Sequence, residues 1–546
     1  MTITTAKRPL RLAPLAAALL VTLPGPALAQ GLVRNLEQNL EQNLSQYVSP
    51  DVTQALAETS LRVTPTLSVT ETWTDNVDLQ AGPRAHSELV TQLSPGISVV
   101  RKGRRLNLAA SAQWHQFAYL NDVRRDLNDN QRQYNAALQG ILVDDLLFID
   151  ASASRGQRSV SAFGPQLVND LYALGNRTEI KTWSISPYLM QRFGHAASLQ
   201  LRYTRDSVES GRFGLDSSDG QSVSAVLASG QSFQDLGWGL SYYGQDLDST
   251  RLGESSTQTL AGNLSYRLTP RLSLTANAGY DRYDFGAFGG ENNGRNWSAG
   301  FAWNPSQRTR LQASVGRHYY GKTGSLNASH RSRHTVWSIN YSDAITTTRQ
   351  QFLLPAAIDT AALLDRLFSA NYPDPVERER IVQAYIAATG LPPSLADNVN
   401  YLSNRYMRQK LLQASTIWRK GRSSVLASLY ASKRDAVSDQ QSDSELLGSQ
   451  LATLNENVRQ RGVNLTYNYQ LNSRTNAVGT WNVARVDSLT TGIEDLQRVL
   501  RLGVTRRYGE RLLGTVEVRR RSGNVGAVST DRYKENAISA SLSMQL

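Results

Sequence analysis

The chain has 546 residues, a formal charge of +12 and no cysteine. The absence of cysteine excludes disulfide frameworks, thiol catalysis and cysteine metal sites. Three of the cations lie in the first thirty residues, which leaves +9 for the remainder. In an exported protein this sign favours lipopolysaccharide or an acidic glycan as partner over nucleic acid, although arginines lining a solvated wall would produce it equally well.

The amino terminus has the three parts of a secretory signal peptide. Basic residues come first, residues 12–23 are apolar, and Ala27-Leu28-Ala29 forms a small-x-small cleavage site. About a dozen apolar residues are too few to span a bilayer. We therefore predict that residues 1–29 are a signal peptide cleaved after Ala29.

Residues 30–61 differ in composition from the rest of the chain. Leucines recur there at intervals of four, which places them along one stripe of a helix: Leu32, Leu36, Leu40 and Leu44. We predict a partly helical, solvated periplasmic leader. Docking beneath a larger domain, or pairing with a partner helix, are the alternatives.

From residue 62 onward, apolar and polar residues alternate. The clearest stretch has apolar residues at every second position: Leu272, Leu274, Ala276, Ala278 and Tyr280. The same alternation recurs at 199–204, 310–315 and 500–507. Successive side chains of a strand point to opposite faces, so each segment has one apolar and one polar wall. A membrane barrel with lipid outside and water inside requires this pattern.

The connections between these segments alternate in length. Short turns are expected at 102–103, 144–145, 269–270, 420–421 and 509–510. Longer polar links are expected near 75–88, 120–131, 159–177, 209–219, 247–255, 285–294, 434–456 and 522–532. Outer-membrane barrels have short periplasmic turns and long outer loops. We therefore predict that residues 62–546 form an all-β, antiparallel, up-and-down outer-membrane β-barrel of about 22 strands, within a range of about 16 to 24, with both termini periplasmic.

Residues 352–398 interrupt the strand pattern and read as two or three helices in an outer-loop position. Helix start and stop signals surround two apolar faces, which include Leu363, Leu364, Leu367 and Phe368 in one and Ile381 and Tyr385 in the other. Insertions of this kind are usually functional. We predict a lid over the mouth or a plug in the lumen, with an inert insertion as the alternative.

The last strand alternates up to the end of the chain, with Ile538, Ala540, Leu542, Met544 and Leu546 on one face. This pattern resembles the terminal strand by which the barrel-assembly machinery recognises its substrates. That signal usually ends in Phe, and Leu546 departs from it. We expect the departure to affect assembly efficiency more than localisation.

Four segments carry a family resemblance. Thr64–Val77, Ser87–Ser98, Gly103–Leu108 and Phe352–Leu364 resemble the PEP-CTERM system-associated outer-membrane protein family, and the likeness extends from about residue 62 to the end. The resemblance implies a cellular setting of envelope, exosortase sorting and exopolysaccharide secretion. It brings no catalytic or binding residues.

No catalytic, cofactor or metal site is predicted. The histidines are scattered and show no metal-binding spacing such as HExxH, and no GxSxG elbow or Walker loop is present. The positive signal is basic residues on the polar wall, which predicts four lumen candidates: Arg202, Arg310, Arg501 and Arg507. Arg506 breaks the alternation, which we attribute to the strand ending near Gly509. Lumen arginines would bind carboxylates or phosphates, unless they pair with acidic neighbours.

Two function classes follow. The favoured one is a pore or secretion conduit for an anionic exopolysaccharide or its fragments, gated by the helical insertion. The alternative is a closed barrel that serves as a scaffold or surface-attachment protein for matrix components. An outer-membrane hydrolase is the least favoured reading.

Overall fold

The computed structural model describes residues 60–121, 130–166, 176–211, 217–250, 253–285, 291–306, 308–353, 403, 405–437, 451, 453–509, 511–526 and 531–546. The predicted signal peptide, the leader up to residue 59 and almost all of the predicted helical insertion lie outside these residues. Within the described ranges, no helix is long and apolar enough to cross a bilayer.

The described residues form one antiparallel sheet of 22 strands. The strands are β1 (Ser60–Thr74), β2 (Glu88–Lys102), β3 (Leu106–Tyr119), β4 (Asn130–Val143), β5 (Leu147–Ser159), β6 (Arg177–Phe193), β7 (Ala197–Ser210), β8 (Ser218–Ser229), β9 (Leu236–Ser249), β10 (Gly253–Thr269), β11 (Leu272–Asp284), β12 (Glu291–Ser306), β13 (Thr309–His318), β14 (Gly321–Arg331), β15 (Thr335–Thr346), β16 (Met407–Lys420), β17 (Ser423–Ala436), β18 (Asn457–Asn472), β19 (Thr475–Ser488), β20 (Glu494–Tyr508), β21 (Leu512–Asn524) and β22 (Arg532–Gln545). A short helix, α1 (Thr348–Leu353), follows β15, and a single 3-10 turn spans Gly82–Arg84.

The sheet closes on itself. Each strand pairs with its neighbour in the sequence, and β1 pairs with β22 as well as with β2, from Thr66 opposite Gln545 to Thr74 opposite Ala537. A closed sheet leaves no edge with unpaired backbone groups, as a strand-built membrane protein requires. The predicted up-and-down barrel of about 22 strands is confirmed.

The short turns lie at the end of the barrel where β1 begins. The predicted turns at 144–145, 420–421 and 509–510 all fall in gaps between strands, and Gly421 and Gly509 have φ angles of 58° and 87°. A left-handed φ of this kind suits glycine because it has no Cβ. The opposite end carries the long links, including the one between β15 and β16, which contains the predicted insertion. The long-link end is therefore the outer end.

Two outer links are shorter than the alternation predicted. The β9–β10 ladder continues to Ser249 opposite Gly253, so the predicted long link at 247–255 is largely strand. Between β13 and β14, only Tyr319 and Tyr320 separate His318 from Gly321. A polar segment can form either a loop or a solvated strand that extends past the membrane. For this reason, the polarity of residues 247–255 led to a wrong prediction of a long link.

The apolar face of each strand points outward, toward lipid. On β11, Leu274 and Tyr280 are each 45% exposed, whereas Asp281 on the other face is buried. On β22, Ile538, Leu542 and Leu546 are all more than half exposed, so the predicted terminal face is an outer face.

Outward aromatic side chains occur toward both ends of the barrel. Trp73, Trp114 and Trp297 lie toward the outer end, and Tyr266, Trp303 and Tyr508 lie toward the short-turn end. Aromatic girdles of this kind mark the two membrane interfaces.

Arg506 lies close to the end of β20. The strand ends at Tyr508, next to Gly509 as predicted, and Arg506 occupies an outward position. Its guanidinium lies 5.5 Å from the centre of the Tyr508 ring, which is the arrangement of a basic residue that reaches toward lipid headgroups. A closed barrel with an apolar belt, aromatic girdles and a polar inner wall belongs in the outer membrane. The chain is an outer-membrane β-barrel.

Candidate functional site

An arginine cluster lies on the inner wall of β20–β22. Arg501 of β20 faces Arg519 of β21 directly across the ladder. Arg519 donates a hydrogen bond from its Nη2 atom to Glu535 Oε1 at 2.9 Å, and Arg521 is ion-paired with the same carboxylate. Arg501, Arg519, Arg521 and Glu535 are all buried. We call these four residues the inner arginine cluster.

The cluster is tied to the seam where the barrel closes. Thr74, at the outer end of β1, donates its hydroxyl hydrogen to Glu535 at 3.0 Å, and its own Oγ1 accepts the backbone N–H of Asn76 at 3.2 Å. One carboxylate therefore serves two arginines and a hydroxyl from the first strand. Charged groups this deeply buried need such pairing, because an isolated buried charge is very costly.

A loop from the far side of the barrel covers this part of the wall. The link between β5 and β6 has buried side chains from Val160 to Phe163. The Gly164 N–H donates to Asp495 Oδ2 at 3.0 Å, and Gln497 Nε2 donates to the Gly164 carbonyl at 2.8 Å. Asp495 and Gln497 belong to β20, far from β5 around the barrel. We call residues 160–166 the crossing loop.

The crossing loop is anchored by apolar contacts as well as by hydrogen bonds. Phe163 belongs to a buried cluster with Met407, Leu454, Val458 and Val486. Val458 lies on the same inner face as the buried Arg434 opposite it, so this apolar cluster fills the lumen side of the outer mouth. Burial of a phenylalanine side chain contributes about 1.5–3 kcal/mol, which adds to the hydrogen bonds that hold the crossing loop.

The link between β15 and β16 is attached to the inner wall at both of its described ends. Arg349 of α1 donates from Nε to the Ser218 hydroxyl at 2.6 Å and is ion-paired with the buried Asp206 of β7. At the other end, Tyr406 lies within hydrogen-bonding distance of Ser255 at 2.8 Å. The Tyr406 ring also packs against Phe285, with centroids 4.5 Å apart. Burial raises the pKa of the Tyr406 phenol above its ordinary value.

The residues predicted for the lid or plug, Leu363, Leu364, Leu367, Phe368, Ile381 and Tyr385, lie outside the described residues. Arg349 and Tyr406 flank them and hold the start and end of the same link at separate places on the inner wall. The position of the insertion in an outer link agrees with the prediction, and its role as a lid remains a prediction.

The structure does not gather the four predicted lumen arginines into one ring. All four occupy the inner face by strand parity. Arg202 and Arg501 lie near the middle of their strands, while Arg310 and Arg507 lie near the short-turn end. Arg202 is ion-paired with Asp150 at 2.8 Å and lies 4.0 Å from the centre of the Tyr188 ring. Arg202 is therefore paired with an acidic neighbour, which is the alternative stated in the sequence analysis. Of the four predicted arginines, Arg501 is the one that joins a cluster of cations.

The sequence analysis missed Arg519, Arg521 and Glu535. The run Arg519-Arg520-Arg521 was visible, and the outward parity of Val516 and Val518 places residues 519 and 521 inward. That signal could have identified two of the three. Glu535 could be recognised only from the pairing of β21 with β22, where it stands opposite Arg521.

One serine–histidine contact occurs on the inner wall. Ser94 Oγ lies 2.8 Å from His115 Nδ1 across β2 and β3. The same ring nitrogen lies 3.1 Å from the side-chain amide of Gln92, and no carboxylate accompanies it as in a hydrolase triad. In the described part of the chain, no group of three His, Asp or Glu side chains could hold a metal ion. The described inner wall offers buried arginine side chains, which can bind anions.

Comparisons with known proteins identify barrels of similar architecture. No protein-family model matches the chain, and no curated protein matches it. Among solved structures, the chain is similar to the siderophore receptor PirA from Pseudomonas aeruginosa (TM-score 0.45, 11% identity, 90% of this chain and 81% of that chain covered). It is also similar to the FrpB iron transporter from Neisseria meningitidis, F3-3 variant (TM-score 0.47, 10% identity, 91% and 83% covered). The fold assignment rests on the closed ladder of strands, and the function proposed below rests on the geometry of this chain.

Proposed function

We propose that the barrel is a gated outer-membrane conduit for anionic solutes, and that the crossing loop is part of its gate. The observation that carries this proposal is the pair of hydrogen bonds that joins Gly164 to Asp495 and Gln497. We call this pair of hydrogen bonds the clasp. Gln497 lies one inward position, roughly 7 Å by strand geometry, above the level of Arg521 and Glu535. The loop therefore lies just above the inner arginine cluster, and its release would expose the cluster to the outer medium.

The inner arginine cluster suits an anionic solute. It brings three arginines together on the inner wall, and guanidinium groups bind carboxylates and phosphates through two parallel hydrogen bonds. Cations along a pore raise the local concentration of anions and bias conduction toward them. We propose an acidic exopolysaccharide or its fragments as the solute class.

The cellular setting of this proposal comes from sequence. The resemblance to the PEP-CTERM system-associated family implies an exosortase- and exopolysaccharide-linked envelope, and the outward alternation of β22 resembles the signal read by the barrel-assembly machinery. We propose both as context. A strain that lacks the gene should retain acidic polysaccharide in the periplasm. Normal surface polysaccharide in that strain would remove exopolysaccharide from the proposal.

The deciding experiment is conductance of the refolded chain in planar bilayers. Asp495→Ala with Gln497→Ala removes the clasp, and Glu494→Ala removes an outward carboxylate of the same strand as the matched control. We expect larger, anion-selective steps from the clasp variant alone, blocked by an acidic polysaccharide and not by neutral dextran. A deletion of residues 352–398 tests the link between β15 and β16 in the same assay.

The selectivity of the open state tests the cluster itself. Arg519→Gln, Arg521→Gln and Glu535→Gln, made together in the clasp variant, remove two of the three cations without leaving the Glu535 carboxylate unpaired. We expect anion selectivity to fall while conductance is kept. Silence from every form, with insertion verified, would reject the conduit and favour the closed scaffold, whose binding residues would then lie in the outer links.

A further inference from the structure

Opposed cations recur on the outer, lipid-facing wall near its outer end. Three cross-strand pairs bring like charges face to face: Arg317 opposite Lys322, Lys410 opposite Lys433, and Arg461 opposite Arg485. Directly opposed side chains on one face of a sheet have Cβ atoms roughly 4.5–5.5 Å apart, and like charges at that position are destabilising. We call these six residues, which span β13–β19, the outer basic band.

The band lies immediately above the apolar belt. The next outward residues toward the membrane centre include Val315 below Arg317, Leu412 below Lys410 and Val463 below Arg461. Val315 is 68% exposed, which marks it as lipid-facing. The cations therefore stand at the height where the headgroups of the outer leaflet meet its acyl chains.

Protein carboxylates neutralise the band only in part. Lys433 is paired with Asp435 at 2.7 Å, Asp487 accepts from both Arg461 and Arg485, and Glu494 is also paired with Arg485 at 2.7 Å. Asp435 and Asp487 are each one outward position farther from the membrane than the cations they meet. The membrane side of each pair therefore faces only apolar residues of its own strands.

The least compensated pairs are the first two. Arg317, Lys322 and Lys410 make no ion pair with any residue that the structure describes. Asp343 stands opposite Lys410 but is paired with Arg408 at 2.8 Å. These pairs retain their repulsion in the protein alone, and an anion between the side chains would relieve it.

A part of the outer wall three strands from the band has the reverse charge near its outer end. Asp219 of β8 stands opposite Asp248 of β9, which in turn stands opposite Glu254 of β10. All three face outward above the apolar belt by strand parity. The barrel therefore presents one cationic and one anionic flank to the outer leaflet, and a phosphorylated lipid would be directed to the cationic flank.

We propose that the outer basic band is a binding site for the lipid A phosphates of lipopolysaccharide. The band lies near the end of the barrel that carries the long links, so it faces the outer leaflet. Lipopolysaccharide is the phosphorylated lipid of that leaflet. Two phosphates on one glucosamine disaccharide suit paired cations on neighbouring strands, and the guanidinium of Arg317 can bind a phosphate through two hydrogen bonds. This site is independent of whether the lumen conducts.

The test uses the full chain refolded into nanodiscs of zwitterionic lipid. One variant combines Arg317→Gln and Lys322→Gln, and a second combines Lys410→Gln and Lys433→Gln. The matched control, Lys420→Gln with Arg506→Gln, removes two outward cations at the short-turn end of the same wall. Titration with fluorescent bis-phosphorylated lipid A gives the affinity, and its dephosphorylated form and phosphatidylglycerol serve as competitors.

We expect each band variant to bind lipid A at least tenfold more weakly than the wild type, and the control to bind as the wild type does. Without lipid A, the variant that combines Arg317→Gln and Lys322→Gln should unfold at a higher denaturant concentration than the wild type, because its like-charge repulsion is gone and no ion pair with a described residue is lost. Unchanged affinity in both variants would overturn the site. Equal competition by phosphatidylglycerol would show a general anionic-lipid surface and overturn the assignment to lipopolysaccharide.

Discussion

Glu535→Gln is the substitution that most directly tests the buried inner arginine cluster. The Glu535 side chain is fully buried, and its carboxylate accepts hydrogen bonds from Thr74 at 3.0 Å, Arg519 at 2.9 Å and Arg521 at 3.3 Å. Glutamine keeps the shape, removes the charge and turns an amide N–H₂ group toward the guanidinium donors. Removal of one member of a buried ion pair costs about 3–5 kcal/mol, because the remaining charge is left buried without compensation.

The assay is equilibrium unfolding by denaturant of the refolded barrel in detergent, followed by tryptophan fluorescence. Asp150→Asn is the matched control, because Asp150 pairs with Arg202 on the same inner wall but both side chains are partly exposed. A solvated pair of that kind contributes about 1 kcal/mol or less. We expect a loss of about 3–5 kcal/mol for Glu535→Gln and a loss several times smaller for the control. Equal small losses would refute the reasoning, since they would mean that water reaches the cluster and that the crossing loop does not seal it.

Three further predictions follow from the same geometry. Ala278→Arg places a charge on the outer wall near mid-membrane and should lower the free energy of unfolding in lipid by about 2–4 kcal/mol. Asn277→Arg, on the inner wall, should be tolerated. Equal effects of the two substitutions on the free energy of unfolding would reject the assignment of faces. Gly164→Ala introduces a Cβ at a residue whose φ is 84°, and the Gly526 Cα would lie 3.4 Å from that Cβ. The substitution should therefore weaken the clasp and raise the open probability in bilayer recordings. An unchanged open probability would contradict the role of the clasp in gating. Leu546→Phe restores the usual last residue of the assembly signal and should increase the yield of heat-modifiable barrel in the outer membrane; a lower yield would contradict the assembly role of the terminal strand.

Much of the barrel could be predicted because its determinants are local. Strand geometry forces side chains to alternate, so the outward position of Leu274 and Tyr280 follows from the sequence around them. The alternation of short and long links predicted about 22 strands, within a range of about 16 to 24, and predicted which end is the outer one. It failed at 247–255, because hydrogen bonding to a neighbouring strand, rather than polarity, decides whether a polar segment is strand or loop.

The side-chain contacts on the inner wall could not be predicted from the local sequence. Parity placed Arg202, Arg310, Arg501 and Arg507 on the inner face, but it carries no information about which side chains lie beside them. Arg202 is neutralised by Asp150, which lies 52 residues earlier in the chain, and this partner follows only from the register of β5, β6 and β7.

The sequence by itself therefore determined the periodicity, the faces and the topology of this protein, since each depends on residues a few positions apart. Only the tertiary structure decided the contacts that join distant segments. Thr74 and Glu535 are 461 residues apart and meet because β1 pairs with β22. Gly164 and Asp495 are 331 residues apart and meet because the crossing loop spans the mouth. Closure of the sheet and packing of Phe163 create these contacts, and neither leaves a repeating pattern in the chain.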